Sequence, residues 1–195
     1  HSHRTAEVFF VRSGRWRFFW GRYGTAGEVV LEEGDIINIP TGIFRGFENI
    51  GTDYGMIMAV LGGDDAGGGV IWASEVIQDA ADHGLVLGAN GKLYDIKKGQ
   101  ALPDGMTPMP VLTEAELKAY PEPTTGDVVP RHVARYWDMV ALGDRKPVLV
   151  IGEKAMLPDK PGFEVHLVTR GSATADMHKH DIPSVLMPMR GHWTV

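Results

Sequence analysis

The hydrophobic positions in the first third of the chain fall into short runs broken by turn residues. Residues 6–11 (Ala-Glu-Val-Phe-Phe-Val) and 15–20 (Arg-Trp-Arg-Phe-Phe-Trp) are aromatic and β-branched, with Ser13-Gly14 between them. They predict two strands joined by a hairpin turn. Val29-Val30-Leu31 predicts another short strand, Glu33-Gly34-Asp35 a turn, and Ile36-Ile37-Asn38-Ile39 the next strand. Pro40-Thr41-Gly42 breaks that strand, and Tyr54 to Leu61 predicts one more, ended by Gly62-Gly63-Asp64-Asp65. Residues 1–61 therefore read as short strands at barrel-like spacing.

The pattern then changes. Ser74 can cap a helix from Glu75 to His83 with Gly84 at its end, and Val76, Ile77, Ala80 and Ala81 give that helix an apolar side. Residues 88–112, rich in Gly, Pro and Lys, read as a loop. Thr113-Glu114-Ala115-Glu116 is a capping box before a second short helix reaching to about Tyr120, and Pro121 to Gly126 ends it. Strands resume at 147–151 and 163–168, both rich in Val and Leu. The expected organisation is a strand region over 1–61, a connector with short helices over 62–144, and a second strand region over 145–195. A histidine pair in each strand region hints at internal duplication with an incomplete second copy.

Composition narrows the function classes. The chain has 195 residues, and its 25 glycines and 12 prolines favour frequent tight turns and an all-β reading. It has no cysteine, which excludes a disulfide scaffold, an iron–sulfur centre and a thiolate zinc site. With 19 Lys+Arg against 25 Asp+Glu the net charge is −6, the wrong sign for a nucleic-acid or anionic-membrane partner. No apolar run approaches the ~20 residues of a spanning helix. The absence of cysteine is compatible with a cytoplasmic location, which is the compartment expected. The sequence opens at His1 and stops at Val195, and both ends read as cuts in a longer protein.

The candidate chemistry lies in the histidines. His1 and His3 are spaced i, i+2, so on a strand they share a face, and Glu7 has the same parity. Two imidazoles and a carboxylate suit Fe, Mn, Zn or Ni and leave positions open for a substrate. His178 and His180 repeat the spacing, with Ser184 where Glu7 would stand. Residues 1–14 read His-x-His-x3-Glu-x6-Gly, and residues 34–49 read Gly-x5-Pro-x-Gly-x2-Arg-x3-Asn. This pair of motifs resembles the two signatures of the cupin superfamily. The resemblance covers roughly 1–61 and 145–195, since residues 178–191 again fit the first motif through His178, His180 and Gly191. It implies an all-β fold, a cupin barrel of the jelly-roll type, and a bicupin fragment with a short helical connector. The family's second motif normally carries a histidine where this chain has Arg45.

For the first site the resemblance implies a metal held by two His, one Glu and a third His. Arg45 departs from that, because a guanidinium has no free lone pair and carries a charge of the metal's own sign. Three outcomes follow. Water fills the gap and His1, His3 and Glu7 bind a metal; Arg45 pairs with Glu7 and the site is metal-free; or Arg45 binds the carboxylate of a substrate. For the second site, the run from His178 to Leu186 looks like the first motif of gentisate-type or homogentisate-type ring-cleaving dioxygenases. That resemblance implies Fe(II), with Mn or Zn as alternatives, held by His178, His180 and a third histidine beyond Val195. The implied substrates are O₂ and a hydroxylated aromatic carboxylic acid, and a homo-oligomer is plausible. The alternative is a non-catalytic or small-molecule-binding bicupin with degenerate metal sites. His83, His132 and His166 are isolated and read as surface or packing residues, and His192 falls after the turn at Gly191. Tyr136 and Trp137, within 131–139, suggest a docking or packing segment.

Overall fold

A computed structural model of the chain describes residues 1–62, 69–144, 146–158, 162–172, 179 and 181–194. The first region supplies six strands: β1 (Glu7–Ser13), β2 (Trp16–Trp20), β3 (Gly27–Leu31), β4 (Ile36–Ile39), β5 (Arg45–Asn49) and β6 (Met56–Leu61). The connector supplies α1 (Ser74–Asp82), β7 (Leu85–Leu87), β8 (Leu93–Asp95), α2 (Glu114–Leu117), α3 (Thr125–His132), β9 (Val133–Ala134) and α4 (Tyr136–Leu142). Beyond it lie β10 (Val148–Ile151) and β11 (Val165–Leu167).

The strands of the first region divide between two antiparallel sheets. One has the order β6-β1-β4-β9 and the other β3-β2-β5. The expected hairpin at Ser13-Gly14 is therefore absent. The chain does reverse there, with Gly14 at φ +87°, but β1 pairs with β4 and β6, whereas β2 pairs with β3 and β5. Turn residues specify a reversal and not the partner. What separates these two strands is burial. β1 is buried from Glu7 to Val11 and packs on both faces, whereas β2 buries only Phe18 and Trp20, and each is an inner strand of its own sheet.

Two hydrophobic clusters hold the layers together. Phe9, Val11, Ile37 and Ile39 of the first sheet meet Phe18, Trp20, Val29 and Leu31 of the second, with Ile43 and Val128. On the other face of the first sheet, Val8, Phe10 and Ile36 pack against Ala134, Met139, Val148, Val150, Ile151 and Leu157. Alternate residues of β1 thus enter different clusters, as the two-residue period requires. Each fully buried side chain of this size contributes about 1.5–3 kcal/mol of transfer free energy.

The all-β barrel expectation does not hold. The described residues form sheets of four, three, two and two strands, together with four α-helices, and no closed barrel. β6 and β9 border one sheet and β3 and β5 the other, and no strand is common to both. Two features of the connector account for much of the difference. Thr124 and Asp127 form a capping box that starts α3, a helix not expected from the sequence, where Pro121 to Gly126 read only as the end of the preceding helix. β9 then adds to β4, so the connector contributes a strand to the first sheet. β7 and β8 form a hairpin partly within what read as loop. No described helix is long and apolar enough to cross a membrane.

Candidate functional site

The first histidine cluster is assembled from three pieces of chain. Residues 1–3 lie against residue 71: Ser2 N donates to the Ile71 carbonyl at 2.7 Å, and Ile71 N to the Ser2 carbonyl at 2.8 Å. That bridge turns Ser2 one way and the two imidazoles the other, where they stack with centroids 5.5 Å apart and planes 24° apart. The chain bends at Arg4-Thr5 and enters β1 at Glu7. The bend closes the gap between the residues, so that His3 Nε2 stands 3.3 Å from Glu7 Oε2. The third piece begins β5. Gly42 N donates to the His3 carbonyl at 3.1 Å and Arg45 N to the His1 carbonyl at 2.9 Å. The turn after Pro40 thus sends residue 45 inward.

His1, His3 and Glu7 come together as expected. One ligand atom from each can be chosen so that all lie within 4.8 Å of one another. By donor chemistry alone the trio suits a divalent cation. Arg45 decides against it. Its Nη2 lies 2.5 Å from His3 Nε2, 3.0 Å from His3 Nδ1 and 3.3 Å from Glu7 Oε2. Guanidinium nitrogens only donate, so a His3 nitrogen that pairs with Nη2 must accept, and Nε2 can either accept from Arg45 or donate to Glu7 Oε2 but not both. Glu7 Oε2 accepts from the same Nη2. The residues present do not fit the implied metal, because a fixed positive charge already stands among the ligands.

The electrostatics of the cluster are those of an interior. The Arg45 side chain is wholly inaccessible to solvent, and Glu7 and His3 are buried. Burial pulls the Arg45 guanidinium below its ordinary value, with the opposing charge and hydrogen bond of Glu7 raising it. Nη1 donates to the Ile43 carbonyl at 3.3 Å, while Nε is buried with no hydrogen-bond partner among the described residues. Trp72 covers His1 with its ring centroid at 5.5 Å. No motif marks Trp72, which arrives only because residue 71 pairs with residue 2.

The second pair, His178 and His180, lies outside the described residues. Ser184 and His192 are exposed in an irregular stretch. The isolated histidines are not gathered into a site. His83 Nδ1 donates to the Asp79 carbonyl at 2.8 Å, His132 Nδ1 to the Asn38 carbonyl at 2.8 Å, and His166 Nε2 stands 3.4 Å from Glu164. Sequence reasoning missed Asp35, taken only as a turn residue. It is buried and ties the turn before β4 to the start of α4 by accepting from Tyr136 N at 2.9 Å and Arg135 Nη1 at 2.8 Å. Compared with family models, curated proteins and solved structures, the chain matches none.

Proposed function

We propose that the His1/His3/Glu7/Arg45 cluster is a metal-free, non-catalytic lock, and that this region of the protein serves in binding or structure and not in metal catalysis. The observation that carries the reading is the placement of Arg45 Nη2 against both His3 and Glu7. The guanidinium takes the place of a cation, ties β5 to β1 and to residues 1–3, and offers no open coordination position. With no solvent access to its side chain, Arg45 supports the pairing outcome over capture of a substrate carboxylate.

A second reading rests on the sequence spacing of His178 and His180. Here the protein is an iron-dependent ring-cleaving dioxygenase for a hydroxylated aromatic acid, with its metal chemistry centred on that pair. One experiment separates the two. The purified chain, and variants His3→Ala, Arg45→His and His178→Ala/His180→Ala, are titrated anaerobically with Fe(II), Mn(II) and Zn(II), followed by calorimetry. The lock reading expects no metal binding that His3→Ala removes, and a new site in Arg45→His. Binding lost only in the 178/180 variant, with O₂ uptake on a dihydroxybenzoate by the longest chain that can be prepared, supports the dioxygenase. Metal bound by the native chain and lost in His3→Ala overturns the lock.

A further inference from the structure

A second gathering of charged and aromatic groups lies where the turn before β4 meets the start of α4. Asp35 organises it. Besides Tyr136 N and Arg135, it accepts from Glu32 N at 3.1 Å, and Arg135 Nη1 also donates to the Val30 carbonyl at 2.8 Å. Gly34, at φ +90°, lies so close under the Tyr136 ring that a β-carbon would collide with it. These contacts fix one wall of a cleft of about 530 Å³, to which Arg15, Glu32, Glu33, Tyr136 and Trp137 also contribute.

A side chain from far along the sequence enters this cleft. Arg190 sets Nη2 at 3.3 Å and Nε at 3.4 Å from Glu33 Oε1. Its guanidinium carbon lies 5.3 Å from the Tyr136 ring centroid and 5.9 Å from that of Trp137. One carboxylate and two aromatic rings therefore converge on a single cation. The other charges of the cleft are matched separately, Arg15 with Glu32 at 3.5 Å and Arg135 with Asp35 at 2.8 Å. Among the described residues Arg190 is the ion-pair partner of Glu33, and Arg15 and Arg135 of the same cleft pair with other carboxylates.

Among the described residues, the segment bearing Arg190 is anchored by Met187, which packs against the second hydrophobic cluster, and by few hydrogen bonds beyond it. Arg12 Nη1 donates to the Met189 carbonyl at 3.3 Å, and the Trp193 indole N–H to the Arg190 carbonyl at 2.7 Å. The described residues from 181 to 194 carry no helix or strand. The Arg190 side chain is 55% exposed, and an ion pair so open to water is easily exchanged.

We propose that this cleft is a recognition site for a guanidinium group, filled in cis by Arg190 and taken by an arginine side chain of a partner polypeptide when residues 189–193 lift away. A guanidinium suits it better than an ammonium. The flat face stacks on the rings while the N–H edge reaches Glu33, whereas a compact, strongly hydrated ammonium does less of both.

The test is a calorimetric titration of the full chain with N-acetyl-arginine amide. Arg190→Ala should bind about tenfold more tightly than the native chain, whose cleft is open only in the fraction of molecules with the segment lifted. Glu33→Gln in the Arg190→Ala background should abolish that gain, and N-acetyl-lysine amide should bind more weakly. Equal binding by native and Arg190→Ala chains, or a gain that survives Glu33→Gln, overturns the proposal. A second readout covers loss of folding in Arg190→Ala. Glu33→Gln in the otherwise native chain should speed amide exchange across residues 189–193, and unchanged exchange also overturns it.

Discussion

Arg45 with Glu7 and Arg190 with Glu33 are ion pairs of the same length, 3.3 Å, in opposite surroundings. The Arg45 side chain sees no solvent, and Arg190 is more than half exposed. The difference teaches that burial, and not the pairing itself, decides what an arginine does for this protein. Buried, the guanidinium has lost its hydration and keeps an unpartnered Nε, so it is held by every neighbour it has and cannot be withdrawn without stranding Glu7. Exposed, the same group pairs weakly and can be displaced. One pair serves as a lock and the other as a latch.

The sharpest way to break that comparison is to remove Arg45. Arg45→Ala leaves Glu7 buried without its cation, and the expected loss is about 3–5 kcal/mol, with a fall in Tm on the order of 10 °C. Arg45→Met with Glu7→Gln removes both charges and should regain most of that loss. Thermal and urea unfolding of the two variants measure this. A loss below about 1 kcal/mol in Arg45→Ala would place Arg45 with the surface pairs. Asp35→Ala comes next. It strips the acceptor from Arg135, Tyr136 N and Glu32 N, and about 2–3 kcal/mol should be lost. Amide exchange should localise the damage to the start of α4 and the turn before β4.

Much of the local structure was legible in the sequence, and the reasons are local. Five of the six strand positions in the first region follow from aromatic and β-branched runs, while β5 (Arg-Gly-Phe-Glu-Asn) has no such run and was not expected; the capping box at Thr113 and Glu116 starts α2 where it was expected, though α2 ends at Leu117. His1, His3 and Glu7 were chosen from spacing alone, and they meet. What failed was pairing over distance. The reversal at Gly14 did not reveal that β1 and β2 would enter different sheets, and no local signal places β9 beside β4. The connector supplies buried Val128, Ala134 and Met139 to the clusters, because its apolar side chains cover faces of the sheets that would otherwise meet water. At the site, the sequence flagged Arg45 as the departure from a metal set, but only coordinates could put Nη2 against His3. Asp35 was invisible because Arg135 and Tyr136, the partners it holds to the turn, lie about a hundred residues away.

Arg190→Ala sharpens the comparison from its weak side. The pair with Glu33 is exposed, so the expected stability change is about 1–1.5 kcal/mol, the equivalent of the tenfold gain in binding and well below that of Arg45→Ala. The smallest effect lies at the helix caps, where charge is also exposed but paired to backbone. The Glu116 carboxylate accepts from Thr113 N at 2.8 Å and that of Asp127 from Thr124 N at 2.9 Å. Bonds from the backbone and hydroxyl of Thr113 hold Glu116 below its ordinary value of 4.5, and bonds from the hydroxyl and backbone of Thr124 hold Asp127 below 3.8. A depressed carboxylate contributes stability above its unfolded pKa and loses it as pH falls through the folded one. The first turns of α2 and α3 should therefore stay capped at neutral pH and fray only in acid below these ordinary values. Amide shifts of Thr113 and Thr124 followed by NMR from neutral pH downward should titrate late, and Glu116→Gln and Asp127→Asn should flatten the two curves separately. Titration at or above the ordinary values would mean that the caps do not favour the charged form.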